Sequence, residues 1–126
     1  MLYDYTEMQF TDELLGKEVL PQHVERAEQG LYAFAKRLGV PQGDVIRSYL
    51  ADELVQLYTY RFVCFDKAYA LPGSYTVNGS TDDFYSKKLL YLDERIKILE
   101  KQITPEDLTG DAKKYARYRT VEIYRG

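Results

Sequence analysis

Few residues in this chain are equipped for catalysis, and each can be weighed from its neighbours. The one histidine, His23, falls in the first turn of a predicted helix, with no Glu or Cys at metal-ligand spacing, so a structural histidine is expected. Cys64 stands between Phe62 and Phe65 on an apolar stripe, which suits a small core residue better than a nucleophile. A di-iron bundle site needs Glu-x-x-His pairs on two helices, and one histidine cannot supply them. Gly73 and Gly79 lack the lysine and the spacing of a phosphate loop. Asp52-Glu53 and Asp93-Glu94 read as solvated faces. No nucleophile, base and stabiliser come together, so the expectation is a non-enzymatic protein without cofactor or metal.

Two features are sharper. Arg61 interrupts the row Leu54, Leu57, Cys64 and Ala68 where an apolar residue would fit. A guanidinium there must either snorkel to solvent or meet a carboxylate from another helix or another subunit. The second feature is the C-terminal stretch, where Lys113, Lys114, Tyr115, Arg117, Tyr118 and Arg119 combine cations with rings that could stack on bases. Against nucleic-acid binding stand the net charge of -3 and the lack of a recognised fold motif.

These residues need a scaffold, and the chain of 126 residues is long enough for one self-sufficient core. Hydrophobic content of 45% with 29% charged residues argues against disorder. Thirteen tyrosines against five Phe and no Trp supply rings that pack on one side and hydrogen-bond at the tip, as subunit interfaces favour. Charge is unevenly placed: residues 1–20 hold five acids and one base, whereas 111–126 hold five bases and two acids. Such ends can pair within a chain or head to tail between copies. A single Cys excludes an intrachain disulfide, and neither a signal peptide nor an uncharged membrane-length run is visible, so a soluble intracellular product is expected. The Asn78-Gly79-Ser80 glycosylation match then carries no meaning.

The spacing predicts a mainly α fold: a small bundle of three main helices at about 21–38, 44–70 and 82–103, with short helical turns between. Pro21 opens the first helix, Gly39 and Pro41 end it, and its stripe is Val24, Ala27, Leu31, Phe34 and Leu38. Gly30 inside it suits the close passage of another backbone, or is a tolerated glycine. The central helix carries two rows, Val55, Tyr58, Phe62, Phe65, Tyr69 and Leu54, Leu57, Cys64, Ala68, so at least two elements must cover it. Tyr60, Val63 and Arg61 then still need neighbours, which makes Tyr60 and Arg61 candidate subunit contacts. The third helix has the seam Leu89, Leu92, Ile96, Leu99, Ile103 and a second row Phe84, Tyr91, Ile98, with Asp83–Lys87 and Asp93–Lys97 marking its solvated face. A short capped turn is expected at 11–16, and another helix at 104–110 with Thr104 as cap, Pro105 first and Gly110 as stop. The loop 72–80, with Tyr75 and Asn78 near its Asn-Gly turn, is a contact candidate. Residues 111–126 form an extended basic arm, apart from the 1–110 domain, whose YRTVEIYR alternation is a strand pattern; Leu2 to Tyr5, Tyr75 to Val77 or a partner subunit could pair with it.

The order of these pieces, a long aromatic-rich helix, a Pro72-Gly73 break, Asp82-Asp-Phe-Tyr-Ser-Lys-Lys88, Ile103-Thr-Pro-Glu-Asp-Leu-Thr-Gly110 and a basic extended C-terminus, resembles the small helical head-tail connector proteins of tailed bacteriophages. The resemblance covers about residues 20–126. It implies a virion protein that forms a homo-oligomeric ring at the phage neck, joining the portal to the tail or the next connector component, with DNA only passing through the channel and no membrane involved. It implies that the arm binds the portal through Arg117, Tyr118, Arg119, Val121, Ile123 and Tyr124, with Tyr115 at its root, and that the loop bearing Tyr75 and Asn78 faces the next ring or the channel. Residues 1–19 have no counterpart in this pattern. The alternatives are a bacterial helical interaction or regulatory module and, third, a nucleic-acid-binding helical protein.

Overall fold

The computed structural model describes residues 2–12, 15–69 and 79–110, with the side chains of 68–69 and 79–84 left aside. Three long helices dominate: α1 (Pro21–Arg37), α2 (Tyr49–Tyr69) and α3 (Gly79–Gln102), followed by the short α4 (Pro105–Thr109). Single 3-10 turns occur at Tyr5–Glu7, Gly16–Glu18 and Gln42–Asp44. Among the described residues there is no strand. The predicted arm and its strand, with Tyr115, Arg117, Tyr118, Arg119, Val121, Ile123 and Tyr124, lie outside the described residues, as do Tyr75 and Asn78.

α1 starts and stops as its sequence dictates. Pro21 occupies the first turn, and the His23 ring reaches back to accept the Leu20 N–H at 2.9 Å, doing the work of a cap that Leu20 cannot do with its own side chain. At the other end Gly39 takes a φ of 82°, and the Val40 N–H returns to the Ala35 carbonyl at 2.9 Å. Val24, Ala27, Leu31 and Phe34 are buried as the spacing requires, while Leu38 is half-buried.

α2 begins five residues later than the sequence suggests. Asp44 closes a 3-10 turn, Val45 has extended backbone, and the Ile46 N–H pairs with the Leu108 carbonyl at 2.7 Å. The helix start instead belongs to Ser48, whose Oγ accepts the Ala51 N–H at 3.2 Å. α3 starts earlier than expected, at Gly79. α4 follows the predicted pattern: Thr104 and Asp107 exchange side-chain to backbone bonds, and Gly110 closes it at φ 70°.

α2 is the central element, packed on α1 and on α3, whereas α1 and α3 scarcely touch each other. One of its remaining sides is covered by the chain's own N-terminal segment, residues 2–12 and 15–20. The carboxylate of Glu28, buried in α1, accepts the N–H groups of Leu2 (3.1 Å) and Tyr3 (2.8 Å) and the Tyr32 hydroxyl (2.8 Å). Tyr3 in turn donates its hydroxyl to Asp52 at 2.7 Å, and Tyr5 donates to the Val19 carbonyl. Tyr3, Leu15 and Val19 join the core. Two ion pairs fasten this cover, Asp12 to Lys88 and Glu18 to Lys67, both at 2.9 Å. Asp12 also caps its own turn, accepting the Leu15 N–H at 2.8 Å.

Candidate functional site

Because α1 and α3 diverge from each other across α2, a groove of about 330 Å³ stays open between them, lined by Gly30, Ala33 and Arg37 of α1, Tyr58, Arg61 and Phe62 of α2, and Ile96 and Glu100 of α3. Gly30 is needed here for a reason other than the one expected. A Cβ on it would stand 3.2 Å from the ring of Tyr58, so a side chain, not a backbone, makes the close approach. That ring is held in place: its hydroxyl donates to Glu100 at 2.5 Å, and burial together with the Glu100 carboxylate raises the phenol's pKa well above its ordinary value. Arg37 meets the same carboxylate at 3.5 Å and thereby bridges α1 to α3 across the groove.

Arg61 resolves the sequence puzzle within the chain. Its Nε donates to Asp93 of α3 at 2.6 Å, and with side chains 40% and 39% exposed the pair both snorkels and finds a carboxylate. Asp93 is therefore engaged by Arg61 as well as standing one turn from Lys97. Tyr60, the other residue singled out as a subunit contact, is buried under the N-terminal segment: it accepts the Asp12 N–H at 3.3 Å, donates to Gln56 at 3.0 Å, and meets Phe10 edge to face. Val63 is buried as well. The neighbours that Tyr60 and Val63 needed come from residues before 21, whose irregular sequence gave no period by which to place them.

The uncovered apolar surface lies elsewhere. On α3, Leu90 (67% exposed), Tyr91 (52%) and Ile98 (54%) share the outward face with Lys87, Glu94, Lys97 and Lys101. The row Tyr91, Ile98 was legible as a surplus face; Leu90 was not singled out, although it lies one turn before Glu94 on the same face. On α2, Phe65 continues the Tyr58–Phe62 row and is half exposed. Tyr49, at the start of α2, is the most exposed of these large side chains.

The two reactive side chains sit in structural settings. His23 is buried, with Nδ1 accepting from Leu20 and Nε2 2.8 Å from Asp66 of α2, so both ring nitrogens are engaged. Such an arrangement ties the start of α1 to α2. Cys64 is fully buried, its thiol donating to the Tyr85 carbonyl at 3.1 Å, and burial pushes its pKa up to about 11, away from the thiolate a nucleophile requires. Among the described residues no group of three or more His, Cys, Asp and Glu side chains is arranged to hold a metal ion, and no helix is long and apolar enough to cross a membrane. What the described surface can offer is contact area: an aromatic groove with a charged rim and an apolar stripe on α3. Compared with known proteins, the chain matches no family model, no curated protein and no solved structure.

Proposed function

We propose that this chain is a structural subunit of the tailed-bacteriophage neck, one copy in a ring that joins the portal to the tail or to the next connector component. The observation that supports this most is the outward face of α3, where three large apolar side chains stand among Lys87, Glu94, Lys97 and Lys101. Exposed apolar residues in one stripe with a charged border are the mark of a protein-protein contact. The helical arrangement suits ring closure, because α1 and α3 flank α2 on different sides and present unlike surfaces. A ring interface is heterologous and pairs unlike surfaces of successive copies. The order of sequence elements that resembles the connector proteins adds the partner: a portal gripped by the basic arm 111–126.

The decisive experiment removes that arm. In the phage genome, deletion of residues 111–126 is expected to leave filled heads that do not join tails, while the purified deletion protein keeps its helical circular dichroism; normal joining would overturn the arm's role. Leu90→Glu together with Ile98→Glu is expected to abolish ring formation, read by light scattering in the presence of portal. Arg61→Leu, whose partner Asp93 lies in the same chain, is expected to leave ring formation intact. Binding to DNA with a steep salt slope would favour the nucleic-acid reading instead.

A further inference from the structure

One buried titratable side chain has a task that only one of its forms can perform. The His23 side chain, 4% exposed, lies between the turn before α1 and the second half of α2, in a hollow of about 210 Å³ that it lines together with Lys17, Glu18, Leu20, Val63, Asp66 and Lys67. Its two ring nitrogens face groups of opposite kind. Nδ1 stands 2.9 Å from the Leu20 N–H, which can only donate, so Nδ1 is bare. Nε2 stands 2.8 Å from a carboxylate oxygen of Asp66, which when ionised can only accept, so Nε2 carries the proton. The contacts thus select one tautomer of the neutral ring.

A protonated ring cannot keep both contacts. Imidazolium bears a hydrogen on each nitrogen, and one on Nδ1 would meet the hydrogen of Leu20 head on. The contact with Asp66, by contrast, becomes a charge-assisted bond and strengthens. The other charges near the ring are less directed. Glu18 and Lys67 pair with each other at 2.9 Å, Lys17 completes the charged lining, and on α1 itself Glu25 and Arg26 are exposed. One touching carboxylate is therefore set against the Leu20 N–H and the positive end of α1, both of which oppose a cation.

Leu20 is the joint on which this competition acts. On one side of it Val19 is buried in the core and gives its carbonyl to the Tyr5 hydroxyl at 3.0 Å; on the other α1 begins at Pro21. We propose that His23 is an acid-released latch. Neutral, it caps α1 and fixes the end of the N-terminal cover through Leu20; protonated, it turns wholly to Asp66 and lets Leu20 go. Because the cap needs a bare Nδ1, it is complete above the pH range in which an imidazole titrates and is lost as pH falls through that range. The latch concerns the single chain and does not depend on the neck reading.

NMR of the full-length 15N-labelled protein tests it between about pH 7.5 and about pH 5, a window that spans imidazole titration and stays above that of ordinary carboxylates. At the upper end the ring is expected to carry its proton on Nε2 alone. At the lower end the protection of the Leu20 amide against exchange, relative to its intrinsic rate at each pH, is expected to fall at least about tenfold, while the Val40 amide, bonded to the Ala35 carbonyl at the far end of α1, keeps its protection. His23→Gln supplies the amide oxygen of a capping box without a titrating group, so Leu20 protection in that variant should be flat across the window. Asp66→Asn keeps an acceptor for Nε2 but removes the charge that draws the imidazolium, and should move the loss to lower pH. A proton on Nδ1 at about pH 7.5, an unchanged Leu20 protection at about pH 5, or an equal fall in His23→Gln would each overturn the latch; so would an onset that stays in place in Asp66→Asn. The first two outcomes are read on the unaltered chain and hold whether or not either variant folds.

Discussion

The two open sides of α2 meet different fates. On one, Tyr60, Val63 and Gln56 lie beneath residues 2–12 and 15–20, and the cover is pinned by polar contacts, including Gln56 donating to the Gln9 carbonyl at 2.7 Å and Tyr60 meeting Asp12. On the other, Tyr58, Phe62 and Phe65 form a row that α1 and α3 border without closing. Both sides are rich in rings, so hydrophobicity alone does not decide which is covered. What differs is the polar inventory nearby: the N-terminal segment brings N–H groups that need the Glu28 and Tyr60 acceptors, and the groove side has already spent its acceptor, Glu100, on Tyr58 and Arg37.

That contrast can be broken at its anchor. Glu28→Ala strips the buried acceptor from Leu2, Tyr3 and Tyr32 at once, and the expected loss is roughly 3 kcal/mol in urea unfolding. Tyr58, on the groove side, should then be unchanged in its environment, whereas fluorescence or exchange at Tyr60 should report an uncovered side. Alkaline pH probes the α2–α3 contact. With the Cys64 thiol raised from its ordinary value to about 11, the folded state favours the neutral form, so its contribution is intact below pH 9 and lost as pH climbs through about 11. The decline is expected to be on the order of 2 kcal/mol and to shrink in Cys64→Ala once that variant's own cavity penalty is subtracted. Tyr32, lifted to about 12 by burial and by Glu28, extends the decline upward.

Smaller effects refine the comparison. Tyr60→Phe removes the acceptor for the Asp12 N–H and the donor to Gln56, with an expected loss of about 1 kcal/mol and faster exchange of the Asp12 amide. The weakest effect should be Gly30→Ala. Helix propensity favours Ala by about 1 kcal/mol, but the new methyl presses on a ring fixed by Glu100, so the gain should emerge only in a Tyr58→Ala background. A full gain with Tyr58 present would mean the groove is less rigid than its hydrogen bond implies.

Much of the helical framework was legible because its signals are local. The stripe Val24, Ala27, Leu31, Phe34 and the caps at Pro21, Gly39, Thr104 and Gly110 depend on residues within a turn or two. The start of α2 was misplaced because Asp44 looked like a favourable first-turn acid, while the β-branched Val45 and Ile46 went into an extended link and Ser48 took the cap. Glu28 was invisible for another reason: in a helix of mixed polarity nothing marks one glutamate as buried when its partners, Leu2 and Tyr3, lie more than twenty residues upstream. The same distance hid the cover of Tyr60, so its ring was read as surplus. On α3 the surplus row was readable and remains exposed at Tyr91 and Ile98.

The N-terminal cover also sets an order on synthesis. Residues 2–12 are made before the helices, yet their fastenings are scattered forward along the chain: Glu28 in α1, Asp52, Gln56 and Tyr60 in α2, and Lys88 in α3. At roughly 5–20 residues per second, Asp12 is translated about 4–15 s before Lys88 exists to pair with it. A segment made before all three long helices is therefore the last of these elements to be locked. Until α2 is made Glu28 alone can tether Tyr3, and a chain that stalls before α3 holds the Asp52, Gln56 and Tyr60 fastenings without the Asp12–Lys88 ion pair.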